Sequence, residues 1–590
     1  GMDDTNQRVL TGSLALPAQL VEWKNLEYKV VTTSNDKEKV VTERTLIHKM
    51  SGVMQPCEML AIMGTSGAGK STLLDILAGR LQSSRLTGEV TINGAPIDEK
   101  FVRASGYVQQ SDALFPTLTV RETLTFSARL RCHNMAAERI ASVVEETIKS
   151  LRLEECAETF VGDEVVRGVS GGQKRRVQIG VDIIHQPQII FLDEPTSGLD
   201  SATAFTIIDN LRLLAERNRT IAATIHQPTT KTFNLFDKVL FLAKGHVTFY
   251  GTVEELGAYS QQMSDPIGLV MPQFVNLPEF FLELTQKCED ENTLDQYLVK
   301  DTAVTVEAGG VKRSGSVGAI PDKPSYANSA LTEGFILAER TYLNFIREQD
   351  LFVVRLMLTI LNAVVLGTLF FDTDGDTVSG VNERASFYVY TAAFFYFTSL
   401  DALPVFLHEL EIYKREHSRG AYRSWTYALA TYVVFLPFQV VYALLYTSIS
   451  YFLVGFDNDA SEFFFFMLTL LMCLMTGYAF STMIATLVSE PRAAQAAGTA
   501  ICANFFLFSG FFIGRTDIEP WWIWMHYCSF FKYTLDSFLV NGLNSRFLEG
   551  FDLENTSRWV GIGALAGWII FYRGVFYYQL TTKHSGGRKG

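Results

Sequence analysis

The segment Gly64-Thr65-Ser66-Gly67-Ala68-Gly69-Lys70-Ser71 has the make-up of a phosphate cradle. Its glycines let backbone N–H groups approach an anion, Lys70 can reach β- and γ-phosphate oxygens, and the Ser71 hydroxyl is a hard ligand for Mg²⁺. Such a loop works only between a strand and a helix. The apolar run Met59-Leu-Ala-Ile-Met63 and the helical pattern that starts at Thr72 supply both, so residues 64–72 form the expected nucleotide-binding stretch.

A second apolar run, Ile189-Ile-Phe-Leu192, ends in Asp193-Glu194-Pro195. A buried strand that emerges into carboxylates at its C-terminal end lies where α/β sheets bind ligands. Asp193 suits a Mg²⁺ shell, and Glu194 is placed to orient or deprotonate an attacking water. An isolated Asp-Glu pair is ordinarily a solvated turn; the phosphate loop upstream changes that reading. In Val169-Ser170-Gly171-Gly172-Gln173, a hydroxyl, glycine N–H groups and the start of the basic helical segment 174–179 converge on an anion.

The elements that must carry these residues alternate from residue 20 to about 257, β-rich runs with helical stretches such as 137–152, and predict an α/β domain with a largely parallel sheet. The chain has 590 residues, 48% of them hydrophobic, and is too long for one ordinary core. Fifty basic against 63 acidic residues leave a net charge of -13, which excludes nucleic acid as the expected partner. The cysteines Cys57, Cys132, Cys156, Cys288, Cys473, Cys502 and Cys528 lack the spacing of a zinc site or a disulfide framework. Met2 to Arg8 is polar and acidic, unlike the start of a secretory signal.

Charge thins out after Arg347. Long apolar runs at 352–371, 385–407, 427–454, 463–488, 493–513 and 559–580 each exceed about 18 residues, the length that predicts a membrane span. Six spans return both ends to one side. Lys414, Arg415, Arg419 and Arg423 follow the second run, whereas Asp457, Asp459 and Glu462 follow the third, so both ends read as cytosolic. Residues 514–558 are then external, with 521–543 a re-entrant or interfacial hairpin; a seventh and an eighth span are the competing reading. The sequon at Asn555 falls in this external segment and is the expected glycosylation site. The predicted organisation is a tail at 1–19, the α/β domain at 20–260, a partly disordered linker at 261–330, an amphipathic connecting helix at 331–350, the membrane domain at 351–582 and a tail at 583–590. Leu331, Phe335, Leu337, Leu343 and Ile346 give that helix an apolar face, to lie on the membrane or to pack on the α/β domain.

Three further segments extend the pattern: Gly106-Tyr-Val-Gln-Gln110, Ser197-Gly-Leu-Asp200 and Thr224-Ile-His226. With the phosphate loop, Asp193-Glu194 and Ser170–Gln173, they resemble the Gln loop, D-loop and switch histidine of ATP-binding cassette ATPases. An ATPase ahead of the membrane domain, together with Thr224-Ile-His-Gln-Pro228, Phe115-Pro-Thr-Leu-Thr-Val-Arg-Glu122 and Phe508-Ser-Gly-Phe-Phe512, resembles the G subfamily of half-transporters, related to multidrug, sterol and plant lipid exporters. Gln173 stands where much of that subfamily carries Glu.

The resemblance implies an α/β P-loop ATPase domain followed by an all-α, six-helix membrane domain. ATP and Mg²⁺ are the implied cofactors. Gln110 and His226 join Glu194 in catalysis, and Gln110 also joins Ser71 and Asp193 around Mg²⁺. Ser170, Gly171, Gly172, Gln173 and Asp200 close a nucleotide site on a second half-transporter, in a homodimer or a heterodimer. Tyr28 and Trp23 are candidates by position for stacking on adenine. Phe397 and Phe506 match the wall of a substrate cavity, and Phe511 and Phe512 an apolar valve above it. The implied function is ATP-driven export or flopping of lipophilic or amphipathic molecules such as lipids, sterols, waxes, terpenoids or hormones across a lipid bilayer, with the plasma membrane the expected location. An ATP-gated channel or regulatory membrane subunit is the alternative.

Overall fold

The computed structural model describes residues 19–33, 41–267, 276–290, 293, 296, 298 and 326–583, except 82, 111–112, 134, 164–165, 376, 457–458, 544, 552 and 555. Asn555, all but one residue of each expected tail and most of the expected linker lie outside the described residues. Among the described residues two compact units result, one running to Asn328 and taking in Arg419–Ala421, the other made of Ser329–Ser418 and residues 422–583.

The first unit holds two sheets. Strands β1 (Val21–Thr33), β2 (Val41–Met54), β4 (Leu86–Ile92) and β5 (Ala95–Pro96) pair in the order β2-β1-β4-β5, all antiparallel. Strands β3 (Met59–Gly64), β6 (Gly106–Val108), β7 (Ile189–Leu192), β8 (Thr220–Thr224), β9 (Lys238–Ala243) and β10 (His246–Thr252) pair in the order β10-β9-β3-β8-β7-β6, parallel except for β10. Every residue of β3, β7 and β8 is buried. That is why β3 and β7 read as unbroken apolar runs, as strands covered on both faces do.

Its longer helices are α1 (Lys70–Leu77), α2 (Val120–Arg131), α3 (Ala137–Ser150), α4 (Gly171–Ile183), α5 (Ser201–Ala215), α6 (Val253–Ile267) and α7 (Leu277–Asp290). Of the last two, α6 ends within the sequence expected as linker, and α7 lies wholly in it. Phe280, Phe281, Leu284 and Cys288 recur at helical spacing along α7 and are buried in the first unit's core, the Phe281 ring 4.6 Å from that of Phe241 on β9. The α/β domain therefore continues past residue 260.

The second unit is helical: α8 (Ala330–Arg347), α9 (Gln349–Leu369), α10 (Val378–Thr398), α11 (Leu403–Ser418), α12 (Ser424–Val454), α13 (Ala460–Leu487), α14 (Pro491–Leu507), α15 (Ile523–Cys528), α16 (Phe530–Gly542) and α17 (Arg558–Thr582). Among the described residues, five stretches, Phe352–Leu369, Val378–Ser418, Ser424–Val454, Ala460–Leu487 and Arg558–Thr582, are long and apolar enough to cross a membrane. The expected span at 493–513 differs, because its helix stops at Leu507, a 17-residue element of about 25 Å. The chain leaves helical geometry at Phe508, and Gly510, at φ 96°, turns it again and leaves Phe511 and Phe512 in irregular backbone. The stretch Val378–Ser418 is not one straight helix either, since residues Ser399–Ala402 tighten into a 3₁₀ turn.

The connecting helix α8 buries charged side chains beside Ile336, Phe345 and Leu337, the last of these expected on the outward apolar face, and exposes most of the rest of that face. Arg340 forms a two-pronged pair with Glu416 at 2.6 and 2.9 Å, and Glu333 pairs with Arg423 at 2.8 Å. Leu331, Phe335, Tyr342 and Ile346 are exposed along one face. Their spacing makes a stripe fit for a lipid surface.

Candidate functional site

Neighbouring parallel strands bring the predicted chemistry to one edge of the six-stranded sheet. The strands β3, β8, β7 and β6 lie side by side, and their C-terminal ends lead into the phosphate loop, His226, Asp193-Glu194 and Gln110 respectively. Gly69, at φ 99°, makes the left-handed turn into α1. Lys70 is buried and bends back so that Nζ donates to the carbonyls of Gly64 and Thr65, each at 2.9 Å. Burial pulls this ammonium below its usual range, with Glu194 and then Asp193 pulling it back up.

Ser71 Oγ donates to Asp193 Oδ1 at 2.9 Å. A hydroxyl, a carboxylate and the nearby Gln110 amide are oxygen donors of the hard type that Mg²⁺ takes, so these residues fit the implied ion. Gln110 Nε2 donates to Glu194 Oε2 at 3.0 Å. Glu194 itself sits at φ 46°, a left-handed conformation costly for a residue with a Cβ. His226 is exposed just past β8.

The signature residues form a cluster of their own. Ser170 and Gln173 cap α4 reciprocally: Gln173 N donates to Ser170 Oγ at 3.3 Å, and Ser170 N to Gln173 Oε1 at 2.9 Å. Gly172 lies so close to α5 that a Cβ there would come 2.3 Å from Thr203 Cγ2, whereas the same position at Gly171 is open. Asp200 caps α5, accepting from Thr203 Oγ1 at 2.6 Å and from the N–H groups of Ala202 and Thr203 at 3.0 Å. The Thr203 hydroxyl first, and its N–H next, hold this carboxyl below the usual range.

The sequence assigned no role to two residues of the site. Thr224, fully buried at the end of β8, donates from Oγ1 to Asp193 Oδ1 at 2.7 Å and accepts from Glu194 N at 2.8 Å. Arg175 on α4 reaches the carbonyls of both the Gln110 and the Glu194 segments. Neither spacing announces this, because both contacts depend on neighbours far away in sequence. The adenine candidates fare differently: Trp23 and Tyr28 point into the core between the two sheets, 1% and 7% exposed, so neither ring offers a face for stacking.

In the second unit, the aromatics singled out from sequence adjoin one another. Ring centroids lie 6.3 Å apart for Phe397 and Phe506, 5.0 Å for Phe506 and Phe512, and 5.2 Å for Phe512 and Phe511. Phe512 is 53% exposed and the other three are half-buried.

Comparison with known proteins agrees with both units. The ABC transporter family matches residues 47–197, and the ABC-2 type transporter family matches 332–543, with a second ABC-2 type match at 226–306. ABC transporter G family member 5 of Arabidopsis thaliana is 37% identical, over 91% of this chain and 89% of that protein. This chain belongs to the ABC transporter G family. Member 6 of Arabidopsis thaliana is 36% identical over 84% of the chain and 72% of that protein, and member 5 of Oryza sativa subsp. japonica 34% over 86% and 69%. A dimeric ATP-binding cassette solved in a post-hydrolysis state with ADP and Pi is 26% identical, covers 40% of the chain and 98% of its own, and superposes with a TM-score of 0.33. The G-family transporter thus has an ATP-binding, ATP-hydrolysing domain N-terminal to a helical membrane domain.

Proposed function

We propose that this G-family transporter works as a dimer of half-transporters, with two shared ATP sites, and exports lipophilic or amphipathic molecules at the plasma membrane. In this reading Lys70 and the N–H groups of residues 64–72 bind the phosphates of one ATP, and Ser170–Gln173 and Asp200 of a second chain close over it. Ser71, Asp193 and Gln110 would hold Mg²⁺, which supplies charge neutralisation at the phosphates. Glu194, steadied by Gln110, orients and deprotonates the attacking water, and His226 approaches the γ-phosphate from the end of β8.

One observation carries the substrate class: the contiguous rings of Phe397, Phe506, Phe512 and Phe511. An aromatic, weakly polar surface favours flat or elongated amphiphiles over ions and sugars. Residues 414–423 lie on the cytosolic side with both termini, in keeping with their basic charge. The test is ATPase stimulation in reconstituted vesicles across a library of sterols, terpenoids and long-chain lipids, followed by transport of the best hit. Uphill accumulation with ATP supports export. Stimulation by ions or sugars alone contradicts the substrate class, and conductance that persists in non-hydrolysable nucleotide contradicts export.

A further inference from the structure

Arg175 follows Gln173 by two residues on α4, and its side chain is buried in the first unit. Its Nη1 donates to the carbonyls of Gln109 at 2.7 Å and Gln110 at 3.3 Å; its Nη2 donates to those of Asp193 at 3.0 Å and Glu194 at 3.1 Å; its Nε donates to that of Pro195 at 3.3 Å. Gln178, one turn further along and fully buried, accepts from Nη1 at 2.8 Å and donates to the Gln109 carbonyl at 3.1 Å. The five N–H donors of a planar guanidinium, with one on Nη1 shared between two acceptors, can serve all six, which the three donors of an ammonium cannot. The helix that opens with Ser170–Gln173 is therefore fastened to the two backbone segments that carry Gln110 and Glu194.

The strained peptide of Glu194 is gripped from both sides. Thr224 holds its N–H and Arg175 its carbonyl. A left-handed residue with a Cβ persists only where its surroundings over-determine it. A displacement of α4 along its axis would thus be passed to the Glu194 carboxylate and the Gln110 amide.

We propose that Arg175 is a positioning residue coupling the two ATP sites: when Ser170–Gln173 engage the nucleotide held by the partner chain, Arg175 sets Gln110 and Glu194 of its own chain. This rests on the shared-site reading above. It adds a route by which filling one site readies the other.

The test uses the full-length transporter in vesicles, with ATP titrations of hydrolysis for the wild type, Arg175→Ala, Arg175→Lys and Gln178→Leu. The wild type is expected to show a Hill coefficient above one. Arg175→Ala should bring it to one and lower kcat by about tenfold to a hundredfold, as misplacing catalytic groups does, with KM for ATP changed by less than about twofold because the phosphate loop is untouched. Arg175→Lys should retain more of both properties, and Gln178→Leu should shift them in the same direction by less. A wild-type Hill coefficient of one, or a folded Arg175→Ala with wild-type kcat and cooperativity, overturns the coupling. If Arg175→Ala does not reach the membrane, unchanged cooperativity in Gln178→Leu overturns it instead. Linked dimers combining Lys70→Ala with Ser170→Arg separate the two claims: independent sites in that experiment defeat the shared-site reading, whereas shared sites with intact cooperativity in Arg175→Ala defeat only the coupling.

Discussion

Gln110 Nε2 donates to Glu194 Oε2 across 3.0 Å, joining the ends of two adjacent parallel strands. An amide on one carboxylate oxygen fixes the plane of the group and leaves the second oxygen to accept a proton from water. The pair explains why the sequence needs Gln110 so far upstream of Glu194.

Glu194→Gln keeps the size of the side chain and removes its basicity. ATP hydrolysis should fall by about two or more orders of magnitude, as losing a general base commonly does, while nucleotide binding persists and a closed dimer accumulates. Phosphate release and nucleotide-dependent crosslinking measure the two. Near-normal hydrolysis would remove Glu194 from the role given to it.

Thr224→Val preserves shape but deletes the hydroxyl shared by Asp193 and the Glu194 N–H. A buried donor left without its acceptor costs about 1–3 kcal/mol. Thermal unfolding of the purified transporter should move to lower temperature, and kcat should drop with KM for ATP little changed. An unaltered midpoint and kcat would show that the Glu194 peptide does not depend on Thr224.

Much of the ATPase half was legible because its chemistry is local. The phosphate loop, its strand and its helix are contiguous, and β3 and β7 are uniformly apolar since both faces are covered. What was not legible depends on distant pairing or on broken periodicity. Strand β1 carries register shifts between Trp23 and Lys29, with Asn25 at φ 50°, so its alternation is interrupted and the antiparallel sheet leaves little trace in the sequence. Helix α8 was legible only in part, because Glu333 and Arg340 face inward to partners far away in sequence, beside Ile336, Leu337 and Phe345, while Leu331 and Phe335 face outward as the expected apolar stripe. Apolar residues on a helix in a membrane transporter need not mark the packed face.

Arg340→Ala tests that inward charge. The Arg340–Glu416 pair is only 4% and 15% exposed at its two side chains, and Tyr422 adds a 2.6 Å hydrogen bond to Glu416. Removing one partner strands a buried carboxylate, which typically costs about 3–5 kcal/mol. The single variant should lose thermal stability and yield, and the double variant Arg340→Met/Glu416→Leu should recover most of it. Equal losses in both would show that packing, not charge, is at stake.

Replacing Phe511 and Phe512 by Ala should raise basal ATPase and lower its stimulation by substrate, with folding largely kept. Phe512 is half exposed and both rings lie beyond the end of α14, so truncation opens no deep void. Rings packed in a core would instead cost about 3–5 kcal/mol each. A variant that folds with unchanged coupling defeats the valve assignment, and one that fails to fold favours core packing.

The shared ATP site is tested most directly by hydrolysis in covalently linked dimers carrying Lys70→Ala and Ser170→Arg, either in the same half or in opposite halves. If each site joins the phosphate loop of one half to the signature residues of the other, placing the two changes in opposite halves spoils one site and leaves one intact, whereas placing them in the same half spoils both. The opposite-half dimer should therefore hydrolyse ATP faster. Greater activity in the same-half dimer would mean that each chain completes its own site and would contradict the account.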